Sequence, residues 1–121
     1  PGEPDVLNYL GYSWLDQRRN LKEAKEMIIL AAEKKPEDGY IIDSLGWATF
    51  LMGDYDEAVL YLERAVSLRP GDPTINDHLG DAYWKVGRRL EAVFQWNHAI
   101  TNIKEEGQED AIKEKIKNGL E

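Results

Sequence analysis

Leu-Gly recurs in this 121-residue chain at Leu10-Gly11, Leu45-Gly46 and Leu79-Gly80, at intervals of 35 and then 34 residues. In step behind it come Ala24, Ala58 and Ala92, then Ala31, Ala65 and Ala99, with Pro36 and Pro70 closing the first two units. A unit of this size is a supersecondary element that cannot bury its apolar face alone, so successive units must stack into a solenoid. A solenoid without pocket chemistry is most often a surface for holding something else.

Each unit reads as two amphipathic helices. Asp38 is placed to cap a helix from Gly39 to about Met52; Gly53 stops it, and Asp54 opens the next with Glu57 at capping-box spacing. That helix runs to about Arg69, where Pro70-Gly71 ends it. Asp72-Pro73 starts the third unit with an N-cap acid and a first-turn proline. Past the turn at Gly87 a helix spans about Arg89 to Ile103, with Arg88, a poor capper, in the cap slot. The first unit is one residue longer between its helices, from Asp16 to Asn20, and Asn20 with Glu23 supplies its cap pair. After the third unit Lys104 stands in place of the closing proline and Glu105-Glu106-Gly107 breaks the helix. A last segment, roughly Gln108 to Asn118, sets Ile112, Ile116 and Leu120 in one narrow apolar stripe among charges, as expected of a helix that covers the open face of a terminal repeat. The expected fold is therefore all-α, with three helix–turn–helix repeats at about 4–37, 38–71 and 72–105 and a capping helix at about 108–120.

The repeated small residues have a packing reason. Gly11, Gly46 and Gly80 fall mid-helix, where glycine costs about 1 kcal/mol relative to alanine. Three such costs imply the close approach of a neighbouring helix. Ala24, Ala58 and Ala92 do the same from the second helix, while Trp14, Tyr83, Ile28, Leu62 and Trp96 fill the space around them.

Composition narrows the function. A net charge of -8 without a visible basic stripe argues against a nucleic-acid partner, and Arg18-Arg19 and Arg88-Arg89 read as solvated turn charges. The longest apolar run, Met27 to Ala32, is far too short to span a bilayer. The absence of cysteine excludes thiol chemistry and disulfides. Beginning at Pro1, the chain reads as a processed protein or a piece of a larger one. No catalytic constellation is visible: His78 and His98 lie 20 residues apart on different helices, outside any metal-binding motif, and the glycines belong to packing and turns rather than to a phosphate loop. Asp77 and Asp81, four apart, share a helix face and could hold a cation, but paired acids on a solvated helix are common. The expectation is a noncatalytic chain without cofactor or metal.

Leu-Gly, an aromatic three residues on, Ala, a bulky residue four later, Ala and then Pro together resemble the tetratricopeptide repeat, over Pro4 to about Lys104. The departures are Thr49 in the slot of Trp14 and Tyr83, Asn76 in place of a bulky residue, and Lys104 in place of proline. The run Ile75 to Trp84, Gly87-Arg88-Arg89 and Asp43-Ser44-Leu45-Gly46-Trp47 are similar to the last repeats of large bacterial members, some of them envelope lipoproteins or protease adaptors. The resemblance implies a right-handed superhelix, a protein-binding role as scaffold or adaptor, and a bacterial cytoplasm or cell-envelope setting.

In this family the first helices of successive repeats line a concave groove. Helical spacing puts Asp5, Asn8, Tyr12, Leu15 and Asp16, then Tyr40, Asp43, Trp47, Phe50 and Leu51, then Thr74, Asp77, Asp81, Trp84 and Lys85 on that face, with Trp47 and Trp84 as expected anchors, Tyr12 and Tyr40 extending the contact, and Asn8, Asp43, Asp77 and Asp81 supplying polar contacts. Phe50 and Leu51 read equally well as packing residues, and Asn8, Asp43 and Asp77 as an internal ladder. His78 is expected to face the groove and His98 to be half-buried. The family's carboxylate clamp for chaperone tails needs Lys, Arg and Asn; its slots here hold Asn8, Tyr9 and Tyr12, then Asp43, Ser44 and Trp47, then Asp77, His78 and Asp81. An apolar or aromatic peptide or helix flanked by Lys or Arg is the expected ligand. The alternative is a structural segment of a longer solenoid, since Val6, Tyr9 and Leu10 form an apolar edge that would mate with an upstream repeat or drive self-association.

Overall fold

The computed structural model describes residues 3–103 and 107–120, so Lys104 and the start of the Glu105-Glu106-Gly107 break lie outside the described residues. Among the described residues seven helices follow one another: α1 (Pro4–Asp16), α2 (Leu21–Lys34), α3 (Gly39–Leu51), α4 (Tyr55–Leu68), α5 (Pro73–Lys85), α6 (Arg89–Asn102) and α7 (Gln108–Asn118). They pair as three hairpins, α1/α2, α3/α4 and α5/α6, stacked in order, with α1, α3 and α5 successive neighbours along one side and α7 packed on α6. This is the all-α stack of helix–turn–helix units that the repeat period predicts.

The caps divide into those the residue type predicts and those it does not. Asp38 accepts from the Tyr40 and Ile41 amides and Asp72 from the Ile75 amide, which satisfies otherwise orphaned donors at the starts of α3 and α5. Asp54 and Asn20 make no side-chain cap. In the tight α3–α4 turn, Gly53 takes φ 88° and the Asp54 amide donates back to the Thr49 carbonyl at 3.1 Å, so backbone bonding sets the entry to α4. Gly87 (φ 87°) and the Arg88 amide repeat this geometry before α6. In the longer first loop, Arg18 and Asn20 are themselves left-handed, at φ 53° and 50°. Arg18 Nη1 donates to the Leu15 carbonyl there, at 2.8 Å.

Two core clusters run through the stack. The first gathers Leu15, Ile28, Ile41, Ile42, Leu45 and Ile75; the second gathers Val59, Leu62, Leu79, Tyr83, Trp96 and Ile112. Leu15 is wholly buried and belongs to the core, not to a binding face. Between the helices of each hairpin the glycine does the spacing. A Cβ on Gly11 would stand 2.7 Å from Ile28 Cγ1, and one on Gly46 2.7 Å from Leu62 Cδ2. One on Gly80 would enter the Trp96 indole ring. Ala24, Ala58 and Ala92 are fully buried across the same seams.

Because Trp96 is wholly buried and cannot swing aside, Gly80→Ala should destabilise the chain by about 1–3 kcal/mol despite alanine's better helix propensity. Urea denaturation measures it; a gain in stability would show that the seam is loose.

Candidate functional site

The expected binding face starts from α1, α3 and the N-terminal end of α5. Asn8 and Tyr12 on α1 meet Tyr40, Asp43 and Ser44 on α3, with Asp72 and Thr74 closing the far wall, around an open pocket of about 290 Å³. Four of the residues expected on the binding face are thus brought together. Tyr40 is half exposed, with the Arg69 guanidinium 4.5 Å above its ring. Burial, then the charges of Asp43 and Asp16, push the Tyr12 hydroxyl up to about 12, so it is a neutral donor throughout the physiological range. Asn8 Oδ1 is buried with no hydrogen-bond partner.

The second part of the face is a stacked column. Trp47 lies parallel to the His78 imidazole at 3.9 Å and to Phe50 at 4.8 Å, and Phe50 meets Tyr55 edge-on. His78 is buried rather than turned to the groove, with Nδ1 2.9 Å from Asp43 Oδ1. Burial alone would lower the His78 pKa. The charge and hydrogen bond of Asp43, with Asp77 and Asp81 beyond, outweigh it, and the pKa is raised above its usual 6.5. Asp43 therefore bridges repeats two and three. The half-buried Trp47 packs against that bridge. Phe50 and Leu51 each pack against a core cluster. His98 is exposed rather than half-buried, its Nε2 3.3 Å from the Pro70 carbonyl.

The third part lies against α7. Lys115 Nζ donates to Asp77 Oδ1 at 2.8 Å and to Asp81 Oδ1 at 3.0 Å, and Trp96 Nε1 donates to the same Asp81 oxygen at 3.1 Å. The cation between these two carboxylates is an ammonium of the chain itself. Burial and the neighbouring charge of Asp77 raise the Asp81 pKa against the pull of Lys115. Lys115 is raised too, since the two acids outweigh its partial burial. Trp84 stacks on Trp96 at 5.6 Å, carries the Arg89 guanidinium on its ring and donates from Nε1 to the Leu120 carbonyl at 3.2 Å. Lys115 and the bridging role of His78 escape a reading of the sequence residue by residue. One signal was present: Asp43 and Asp77 occupy the same slot of successive repeats, and each reaches a basic side chain on the next element along the stack.

A family model described as TPR repeat matches residues 46–87. That stretch of the chain is similar to a tetratricopeptide repeat. A TPR repeat-containing protein of Pseudomonas aeruginosa is 38% identical over 82 residues, which is 65% of this chain and 14% of that protein, so the chain spans about one seventh of its relative's length. Among solved structures, the Yersinia enterocolitica type III secretion translocator chaperone SycD superposes with a TM-score of 0.82 at 15% identity, over 93% of this chain and 80% of that one. SycD has also been solved in complex with a peptide of the translocator YopD. A variant of MamA superposes with a TM-score of 0.72 at 25% identity, over 87% of this chain and 76% of that one. The tetratricopeptide superhelix is thus the fold of the chain. Among its described residues no helix is long and apolar enough to cross a membrane.

The raised His78 pKa has a defined pH consequence for these repeats. Between the unfolded value near 6.5 and the higher folded value, the folded state binds the extra proton, so stability must fall as pH rises through that window. Urea denaturation between pH 6 and 9 should show this decline, and His78→Gln should flatten it; an identical slope in the variant would mean that the imidazolium contributes nothing.

Proposed function

We propose that the chain is a noncatalytic protein-interaction module that takes an extended peptide or helix along its concave face. The observation that carries this reading is the open pocket between α1, α3 and α5, where two tyrosines stand beside Asp43 and Asp72. Tyrosine brings large contact area with few rotors to freeze, which suits a recognition surface. The carboxylates and the net charge of -8 favour a ligand with an apolar or aromatic centre and Lys or Arg on its flanks. SycD, similar in fold alone, offers a precedent for peptide binding on such a scaffold. Asn8, Tyr12, Tyr40 and Asp43 form the proposed contact surface, with Trp47 supporting it from the stacked column and Asp77, Asp81 and Trp84 continuing it beneath α7. A library of aromatic-centred peptides with basic or acidic flanks tests the reading: the chain should select the basic set, and a Tyr12→Ala, Tyr40→Ala double variant should lose about 2 kcal/mol of affinity by calorimetry. Equal binding of acid-flanked peptides would sink it.

A second reading, a segment of a longer solenoid, is favoured by the α1 edge. Val6, Tyr9 and Leu10 are 52%, 73% and 46% exposed, whereas Ile41, Ser44 and Leu45, which hold the same slots one repeat later beneath α2, are 1%, 3% and 5% exposed. If this edge seats a further repeat or a second copy, the isolated chain should self-associate with rising concentration. A Val6→Glu, Leu10→Glu variant should then stay monomeric in sedimentation equilibrium. A monomeric parent chain at high micromolar concentration counts against the reading.

A further inference from the structure

The underside of α7 describes a ligand. Only Ile112 of this helix is fully buried; Ile116 and Leu120 pack part-exposed against the second core cluster. One turn past Ile112, Lys115 satisfies Asp77 and Asp81. Gly119 then adopts φ 73°, and a Cβ there would enter the Trp84 ring, so a glycine is needed where the helix ends on the indole. The turn presents the Leu120 carbonyl to Trp84 Nε1. Asp81 is 5% exposed and has Asp77 one helical turn away, so with α7 removed both carboxylates would lose their ammonium and the Trp84 indole its acceptor, Asp81 keeping only the Trp96 donor. The seat demands a cation, an apolar stripe and a carbonyl at fixed spacing, whichever chain supplies them.

We propose that the α7 seat is an exchangeable docking site, and that its partner is an amphipathic helix carrying the pattern Ile-x-x-Lys-Ile-x-x-Gly-Leu, for which α7 is the resident occupant. The proposal rests on reading the chain as a peptide- or helix-binding module. It specifies where a basic residue of the partner goes, between Asp77 and Asp81, and it makes α7 a competitor that keeps this part of the face closed until a better-matched helix displaces it. The helices α7 sits against are held more firmly: α5 buries eight residues and α6 three, against one for α7. An element with so few buried residues opens at a lower free energy than the core does.

The test uses the full chain and, as probe, a fluorescent synthetic peptide of sequence 107–121. A Lys115→Glu, Gly119→Val variant should release the resident helix. The variant should then bind the peptide at least about tenfold more tightly than the parent, in which tethered α7 competes at an effective concentration on the order of millimolar. The same peptide with Lys115→Glu should lose at least about tenfold in affinity for the released variant. Equal binding by parent and variant, with the variant's helical circular dichroism intact, would overturn the proposal. Should the variant unfold, hydrogen exchange in the parent decides. Amides of α7 should exchange at least about tenfold faster than those of α3, and faster still with excess peptide; exchange as slow as that of α3 would overturn it. Doubling of the parent's mass, abolished by the same substitutions, would also overturn it, assigning the seat to α7 of a second copy. Failure here leaves the pocket of Tyr12 and Tyr40 untouched, because the peptide-library measurement reads that surface independently.

Discussion

The spacing between the two helices of each repeat is set by an absent side chain, and the rest of the molecule follows from that distance. At Gly11, Gly46 and Gly80 the first helix lies so close to its partner that Ile28, Leu62 or Trp96 occupies the volume a Cβ would need. A mid-helix glycine is locally unfavourable by about 1 kcal/mol, so the seam persists only because the buried large residue gains more from contact than the backbone loses. With the hairpins closed in this way, α3 lies beside α5, where Asp43 reaches His78, and α7 folds back on α5, where Asp77 and Asp81 clamp Lys115.

Equivalent slots then carry different chemistry according to position in the stack. Asn8, Asp43 and Asp77 share one register. Asn8 leaves its Oδ1 buried and unpaired, Asp43 holds a buried imidazole of the next repeat, and Asp77 holds an ammonium of the terminal helix. Tyr12, Trp47 and Asp81 share another, and change along the stack from pocket wall to stacked ring to clamp. The face is therefore not one uniform groove. Its first third is open and aromatic, its middle is tied into the inter-repeat bridge, and its last third is occupied by the chain's own α7.

What the sequence made legible, and what it did not, divides along the range of the interaction. The helices, the Asp38 and Asp72 caps, the glycine seams and the stripe of Ile112, Ile116 and Leu120 depend on neighbours a few residues away or on the repeat period, and these were readable. The Asp54 and Asn20 caps were not, because a capping residue type says nothing of the φ and ψ that precede it. In these turns, backbone bonding and left-handed residues fix the entry angle instead. The part of the candidate site that was readable is its membership: aromatic and acidic residues at one helical register. The engagement of those residues was not, because a contact such as Lys115 with Asp77 joins residues 38 apart in the chain, and only the way α7 folds back over α5 and α6 brings them together.

The two ends of the stack resolve their exposed edges in opposite ways, and that asymmetry bears on how a partner can approach. At the α1 edge, Val6, Tyr9 and Leu10 stand open where Ile41, Ser44 and Leu45 are covered one repeat later. At the other end α7 covers the edge, but with one buried residue and a charge clamp in place of a full hairpin. An apolar edge gains from burial whatever its orientation, so it stacks readily on any matching repeat. A clamp of two carboxylates on one ammonium is selective, since replacing the cation by a neutral side chain leaves Asp81 buried and unneutralised. The α5–α7 contact is therefore chemically selective in a way that the apolar α1 edge is not.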